Sequence, residues 1–185
     1  MPSPPRPSPD QLRAAIHKRL RDVIAPDLRV LFCGINPGLY STAIGHHFGR
    51  PGNRFWPALH ASGFTPHLFD PAEDRALLSL GLGITNLVAR TTATADQLSS
   101  QELIAGSAIL RRKLRRYQPR VLAVVGLTAY RVAFSEARAV SGLQPSRLGS
   151  TALWLLPNPS GLNAHHQPST LARLFSDLRL FADQL

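Results

Sequence analysis

The chain has 185 residues, of which 44% are hydrophobic, enough to bury a core, and its length fits one domain with no internal repeat. The balance of 21 Lys and Arg against 11 Asp and Glu gives a net charge of +10 and a pI near 11.3, which favours a polyanionic partner: DNA, RNA or an anionic membrane. A single cysteine, Cys33, excludes an internal disulfide and fits a reducing cytoplasm, and no apolar run approaches the ~20 residues of a membrane span, so a soluble protein is expected; it is also expected to be a monomer.

In chain order, residues 1–9 hold five prolines, lack the apolar core of a signal peptide and read as a disordered arm. Order is expected from Asp10, leaving one domain over 10–185. Asp10 is expected to cap a helix running to about Ile24, with Arg13, Lys18, Arg19 and Arg21 on a face that is either a phosphate contact or a solvated surface. Leu28 to Ile35 is a continuous apolar strand of the kind buried on both faces of a parallel sheet. Asn53 is placed to cap a helix carrying Phe55, Trp56 and Leu59, and Leu82 to Leu87 forms a second strand. Ser99 and Glu102 make a capping box for a helix with Leu103, Leu110, Leu114 and Tyr117 on one face. The other face carries Arg111, Arg112, Lys113, Arg115 and Arg116, more cations than dipole compensation requires, and is expected to be a polyanion footprint. Val121 to Gly126 is a third strand, Thr128 to Phe134 a short helix and Ala152 to Leu156 a fourth strand. A final helix carries Leu171, Leu174, Phe175, Leu178 and Phe181. Strands alternating with helices predict an α/β fold, a three-layer α/β/α sandwich on a mainly parallel central sheet.

Two polar loops directly follow strands: Gly34-Ile35-Asn36-Pro37-Gly38 and Pro157-Asn158-Pro159-Ser160-Gly161-Leu162. Ligands in open α/β sheets bind beyond the carboxyl ends of the strands, so both loops can serve one site. The first has neither dinucleotide-fold nor P-loop spacing. Ser160 lies outside a nucleophile elbow, and the pairs His46-His47 and His165-His166 lack a Cys, Asp or Glu at metal-ligand spacing. Asn36 remains: an amide held between Gly and Pro can orient a water or read a base edge at any protonation state, or it is simply a turn residue.

These loops, together with Gly45-His46-His47-Phe48, Gly52-Asn53-Arg54-Phe55-Trp56 and Gly83-Ile84-Thr85-Asn86-Leu87-Val88, occur in the order and spacing that resemble the mismatch-specific uracil/thymine-DNA glycosylases. The resemblance runs from about Leu28 to the C-terminal helix. It implies a uracil-DNA glycosylase-like fold, no metal or cofactor, double-stranded DNA as partner, and hydrolysis of the N-glycosidic bond of uracil or thymine opposite guanine. A base within a duplex must be flipped out to be reached, at least cost when mispaired.

By position, Asn36 matches the family's catalytic asparagine, Phe48 the aromatic that stacks on the flipped base, and Ile35 and Asn86 residues lining the base pocket. Leu162 matches the wedge that fills the vacated stack, with Asn158, Ser160, Gly161 and Asn163 beside it as DNA contacts. His47 and Thr92 resemble the thymine-processing branch, whereas Ser41 and Phe48 resemble the uracil-selective one. Ser41 is expected at the C5 face of the base. Beyond Leu162 the bacterial pattern has an arginine where this chain has Ala164. Another departure is Asp96, where that pattern is uncharged. Its carboxylate is a candidate to orient water or offset sugar charge with Asn36, His47 being the third catalytic candidate; the alternative for Asp96 is complementing the N-terminus of the Ser99-capped helix. No lysine lies in the motif loops, so a lyase step is not expected. Two other classes remain open: a catalytically silent mismatch or structured nucleic-acid binding module, and a small-molecule N-glycoside hydrolase.

Overall fold

A computed structural model of the protein describes residues 6–161 and 167–185. Its centre is a five-stranded sheet of β1 (Val30–Gly34), β2 (Leu82–Asn86), β3 (Val121–Val125), β4 (Gly142–Leu148) and β5 (Thr151–Leu156), in the order β2-β1-β3-β5-β4. All neighbours are parallel except β4, which runs antiparallel to β5 at the edge. Every residue of β1, β3 and β5 is buried, so these strands read as unbroken apolar runs. Their side chains alternate between two cores. Val30 and Phe32 pack with Phe55, Leu59 and Phe175 on one face, while Leu31 and Cys33 pack with Leu110, Leu114 and Tyr130 on the other. The expected α/β/α sandwich results, with helices α3 (Phe55–Ala61) and α6 (Pro168–Ala182) on the first face and α4 (Ser100–Tyr117) and α5 (Leu127–Phe134) on the second. No described helix is long and apolar enough to cross a membrane.

The N-terminal expectation requires correction. Helix α1 covers only Pro9–Ala15; Ser8 caps it through a reciprocal box with Gln11, Pro9 takes the first turn, and Asp10 lies inside. The helix stops because the chain is needed elsewhere: Val23 forms an antiparallel bridge with Ile84 along the otherwise free edge of β2 (Val23 N to Ile84 O 2.9 Å, Ile84 N to Val23 O 2.7 Å). After a turn at Ile16 and His17, residues 18–22 run as an irregular strap up to that bridge.

Further elements escaped the sequence pattern, strand β4, helix α2 (Leu39–Ile44) and the 3₁₀ segment Pro71–Leu80 among them. Strand β4 has only Gln144 buried and contains Pro145 and a register shift between Leu143 and Arg147; an edge strand tolerates all of these and shows no apolar run. Helix α2 is six residues long, ended by Gly45 at φ 81°. In α3, the carboxamide of Asn53 accepts the Phe55 N–H at 2.9 Å, although the residue at the cap position is Arg54. The Ser99–Glu102 box opens α4 as expected.

The direction of α4 sets most of its basic cluster away from the cavity. Its first turn is on the cavity side of the sheet, and its last carbonyls meet the start of β1, with Asp27 N donating to Tyr117 O at 2.8 Å. At 1.5 Å per residue, Arg112, Arg115 and Arg116 lie roughly 20 Å along the axis from the first turn. Lys113 pairs with Asp22 at 2.5 Å and donates to Thr85 Oγ1 at 2.8 Å, while Arg111 lies over Phe134 and Arg116 over Tyr117.

Candidate active site

At the carboxyl edge of the sheet lies a cavity of about 510 Å³, a size usual for small-ligand sites, entered from the loops after β1, β2 and β5. Main-chain hydrogen bonds zip the first two loops together: Leu39 N donates to Thr92 O at 3.1 Å and Thr92 N to Pro37 O at 3.2 Å. That pairing brings Asn36 beside Thr92. The Asn36 amide nitrogen donates to the Arg90 carbonyl at 2.9 Å and to Thr92 Oγ1 at 2.7 Å, with a longer 3.3 Å contact to Pro37 O. A main-chain carbonyl only accepts, so it fixes which way the amide faces. Thr92 Oγ1 in turn donates to Thr94 O at 2.7 Å. Both amide N–H groups are thereby engaged, and Asn36 Oδ1 has no hydrogen-bond partner among the described residues.

The Arg90 peptide is itself held from outside the cavity. Its guanidinium donates to both carboxylate oxygens of Glu102, at 2.6 and 3.0 Å, and to Gln97 O at 2.9 Å. Glu102, bound by Arg90 and by the Ser99 N–H, keeps its carboxyl pulled down to about 2.

On the opposite wall, register places Asn86 directly across from Gly34. A Cβ at residue 34 would sit 2.5 Å from Asn86 Oδ1 and 3.3 Å from the Phe48 ring, so only glycine leaves room for both side chains. Phe48 stacks on Phe55 with ring centroids 4.0 Å apart and adopts φ 52°, an unusual left-handed conformation of the sort retained at binding sites. Its neighbour His47 is buried. His47 Nε2 faces the Arg21 carbonyl at 2.9 Å and so carries the ring proton, leaving Nδ1 to face the Asn86 amide across a long 3.5 Å contact. Burial lowers the His47 pKa from its ordinary value and keeps the ring neutral. Ser41, also buried in the wall, accepts the Gly49 N–H at 3.1 Å.

The cavity brings together Ile35, Asn36, Ser41, His47, Phe48, Asn86, Thr92, Asn158 and Ser160. Asn158 Oδ1 caps the turn by accepting Ser160 N–H at 3.0 Å. Gly161 is exposed, and a Cβ there would lie 2.4 Å from Gly52 O, so this loop presses against the Gly52-Asn53 loop. Leu162 and Asn163 lie outside the described residues. Asp96 is not in the wall: it is exposed in the 3₁₀ turn Ala95–Gln97, whose Ala95 lines the cavity instead. Residues not anticipated as site components include Leu12, Leu20, Tyr40 and Arg50 in the wall, and the Arg90 carbonyl behind Asn36. A lone leucine between Arg19 and Arg21 was the only trace of Leu20; a main-chain carbonyl leaves no trace in sequence.

An α/β/α sandwich with a carboxyl-edge cavity walled by carboxamides and an aromatic ring is the architecture of an α/β protein with a small-ligand site at its strand ends. The family follows from comparison: the uracil DNA glycosylase superfamily model matches residues 21–179, and the chain belongs to that superfamily. A solution NMR structure of a candidate uracil DNA glycosylase from Methanosarcina acetivorans is similar at a TM-score of 0.53 and 18% identity, over 88% of this chain and 98% of that one. At that identity the likeness concerns the fold.

Proposed function

We propose that the protein is a monofunctional DNA glycosylase that flips uracil mispaired with guanine out of the duplex and hydrolyses its N-glycosidic bond. Superfamily membership supports the DNA glycosylase activity, and the state of Asn36 carries the mechanism: with both N–H groups held, Oδ1 is the atom left to accept a hydrogen bond from the attacking water. An amide does not take the proton, so its work is positioning. The C1′–N1 bond breaks first, its electron pair leaving with the uracil anion, and the water held by Asn36 adds to the oxocarbenium-like sugar. The water proton passes to solvent, giving an abasic site and free uracil after protonation of the base.

Phe48, backed by Phe55, offers its free face to the flipped ring. Asn86, whose amide nitrogen faces His47 across 3.5 Å, presents a carboxamide to the base edge, where a preoriented N–H donor stabilises the departing anion better than water that must reorient. Ser41 in the wall is suited to crowd a C5 methyl and favour uracil over thymine. Leu162 is proposed as the wedge and Asn163 as its neighbour at the orphaned guanine. A lyase step has little support: of the two lysines in the chain, Lys113 is engaged with Asp22 and Thr85, and the Lys18 side chain is exposed on the strap.

The test is a cleavage panel of uracil, thymine and modified cytosines opposite guanine and adenine, and in single strands. Release of free uracil with an alkali-labile site from G·U duplex supports the reading. Binding without release would make the protein a recognition module, and release from free deoxyuridine with little salt dependence would make it a nucleoside hydrolase.

A further inference from the structure

The superfamily match begins at residue 21, yet the chain is ordered earlier, and that earlier part is built into the cavity. Leu12 of α1 and Leu20 of the strap both line it. The strap is fastened at three levels: Thr91 Oγ1 donates to Lys18 O at 3.0 Å, His47 Nε2 to Arg21 O at 2.9 Å, and Asp22 accepts Thr85 Oγ1 at 2.9 Å while pairing with Lys113. Val23 then locks onto β2. Polar anchors from the site itself, Thr91 beside Thr92 and His47 beside Phe48, thus hold a main chain whose side chains are free to do something else.

Those side chains are cationic. Lys18, Arg19 and Arg21 are all exposed, and among the described residues none makes an ion pair, whereas Arg13 on the helix is paired with Asp10. Three exposed cations on a fastened segment, with no ion-pair partner among the described residues, thus lie within a residue or two of a leucine that lines the cavity. By contrast, the larger cluster on α4 lies toward the other end of that helix and is partly consumed by internal contacts.

We propose that the segment Ser8–Arg21, almost all of it ahead of the matched core, is a strand-binding element, with Leu12 and Leu20 completing the cavity wall and Lys18, Arg19 and Arg21 taking phosphates that flank the flipped nucleotide. The proposal rests on the glycosylase reading for the identity of the strand as DNA.

The experiment is a salt titration of binding to a G·U duplex by the full chain, comparing wild type, the triple variant Lys18→Gln/Arg19→Gln/Arg21→Gln, the charge-keeping variant Lys18→Arg/Arg19→Lys/Arg21→Lys, and the control Arg112→Gln/Arg115→Gln/Arg116→Gln. Each phosphate contact contributes about 0.9 to the log-log slope, so the first variant should lose about 2.7 in slope and bind about 10²-fold more weakly at 0.15 M salt. The charge-keeping variant should restore the slope, and the α4 control should leave it unchanged. An unchanged slope in the first variant, or an equal loss in the control, overturns the proposal. Failure of the wild type to release uracil would instead remove the glycosylase reading, and the slopes would still decide whether the strap binds a nucleic-acid backbone.

Discussion

Replacing Thr92 with valine removes one hydroxyl at nearly constant shape and tests whether the Asn36 amide must be held from two sides. The hydroxyl accepts from Asn36 Nδ2 and donates to Thr94 O, both at 2.7 Å. Valine leaves one amide N–H without its partner in a buried wall, a loss of about 1 to 2 kcal/mol, whereas the Thr94 carbonyl belongs to an exposed residue and regains water. For a chain of this size that lowers Tm by about 2 to 8 °C. Asn36 keeps the Arg90 carbonyl but can pivot about it, moving Oδ1. Displacement of a reacting group by about 1 Å costs on the order of 10²-fold, so a fall of about 10 to 100-fold in single-turnover uracil release is expected, equivalent to about 1.4 to 2.7 kcal/mol in the barrier. Thr92→Ser keeps the hydroxyl and should retain most of the rate. Wild-type release by Thr92→Val at a reduced Tm would refute the positioning role, and a rate loss matched by weaker duplex binding would move Thr92 from catalysis to binding.

His47 supplies a pH dependence. Its folded pKa is depressed below the ordinary 6.5 by burial, so below that pH the unfolded chain takes up a proton that the folded chain refuses. Stability therefore falls as pH drops from about 6.5 toward the folded value, and His47→Gln should flatten that part of a Tm-against-pH curve; an unaltered curve contradicts the assignment. Asp96, exposed and outside the cavity wall, should tolerate Asp96→Asn with uracil release within about twofold of wild type, and loss of the acidic limb of the pH-rate profile would return it to the catalytic group. Burial pushes the Cys33 thiol up to about 12, so thiol reagents should label it only on unfolding; labelling of the native protein would contradict its place in the core.

The buried parallel strands were legible in sequence because each is apolar on both faces, and α4 because its capping box and apolar stripe agree. Strand β4 was not, since one buried side chain and a proline at an edge leave no period to read. The extent of α1 was misread because the basic residues after it suit a helix, while the competing bridge of Val23 to β2 is a tertiary contact. The motif residues Asn36, Phe48, Asn86 and Thr92 do converge on one cavity. The motifs held no sign that Arg90 contributes through its carbonyl, nor that Asp96 would point its turn outward. The α4 cations are legible in sequence but their distance from the cavity is not, because charge on a helix carries no information on which end of the sheet that helix reaches.

The central claim is that Asn36 orients the water that hydrolyses the glycosidic bond. Single-turnover release of uracil from a G·U duplex by Asn36→Ala, measured beside duplex affinity, tests it most directly. The account predicts loss of nearly all release with affinity within a few fold of wild type, since a positioned water acts in the transition state and adds little to ground-state binding. Release at the wild-type rate would leave Asn36 a turn residue and contradict the mechanism.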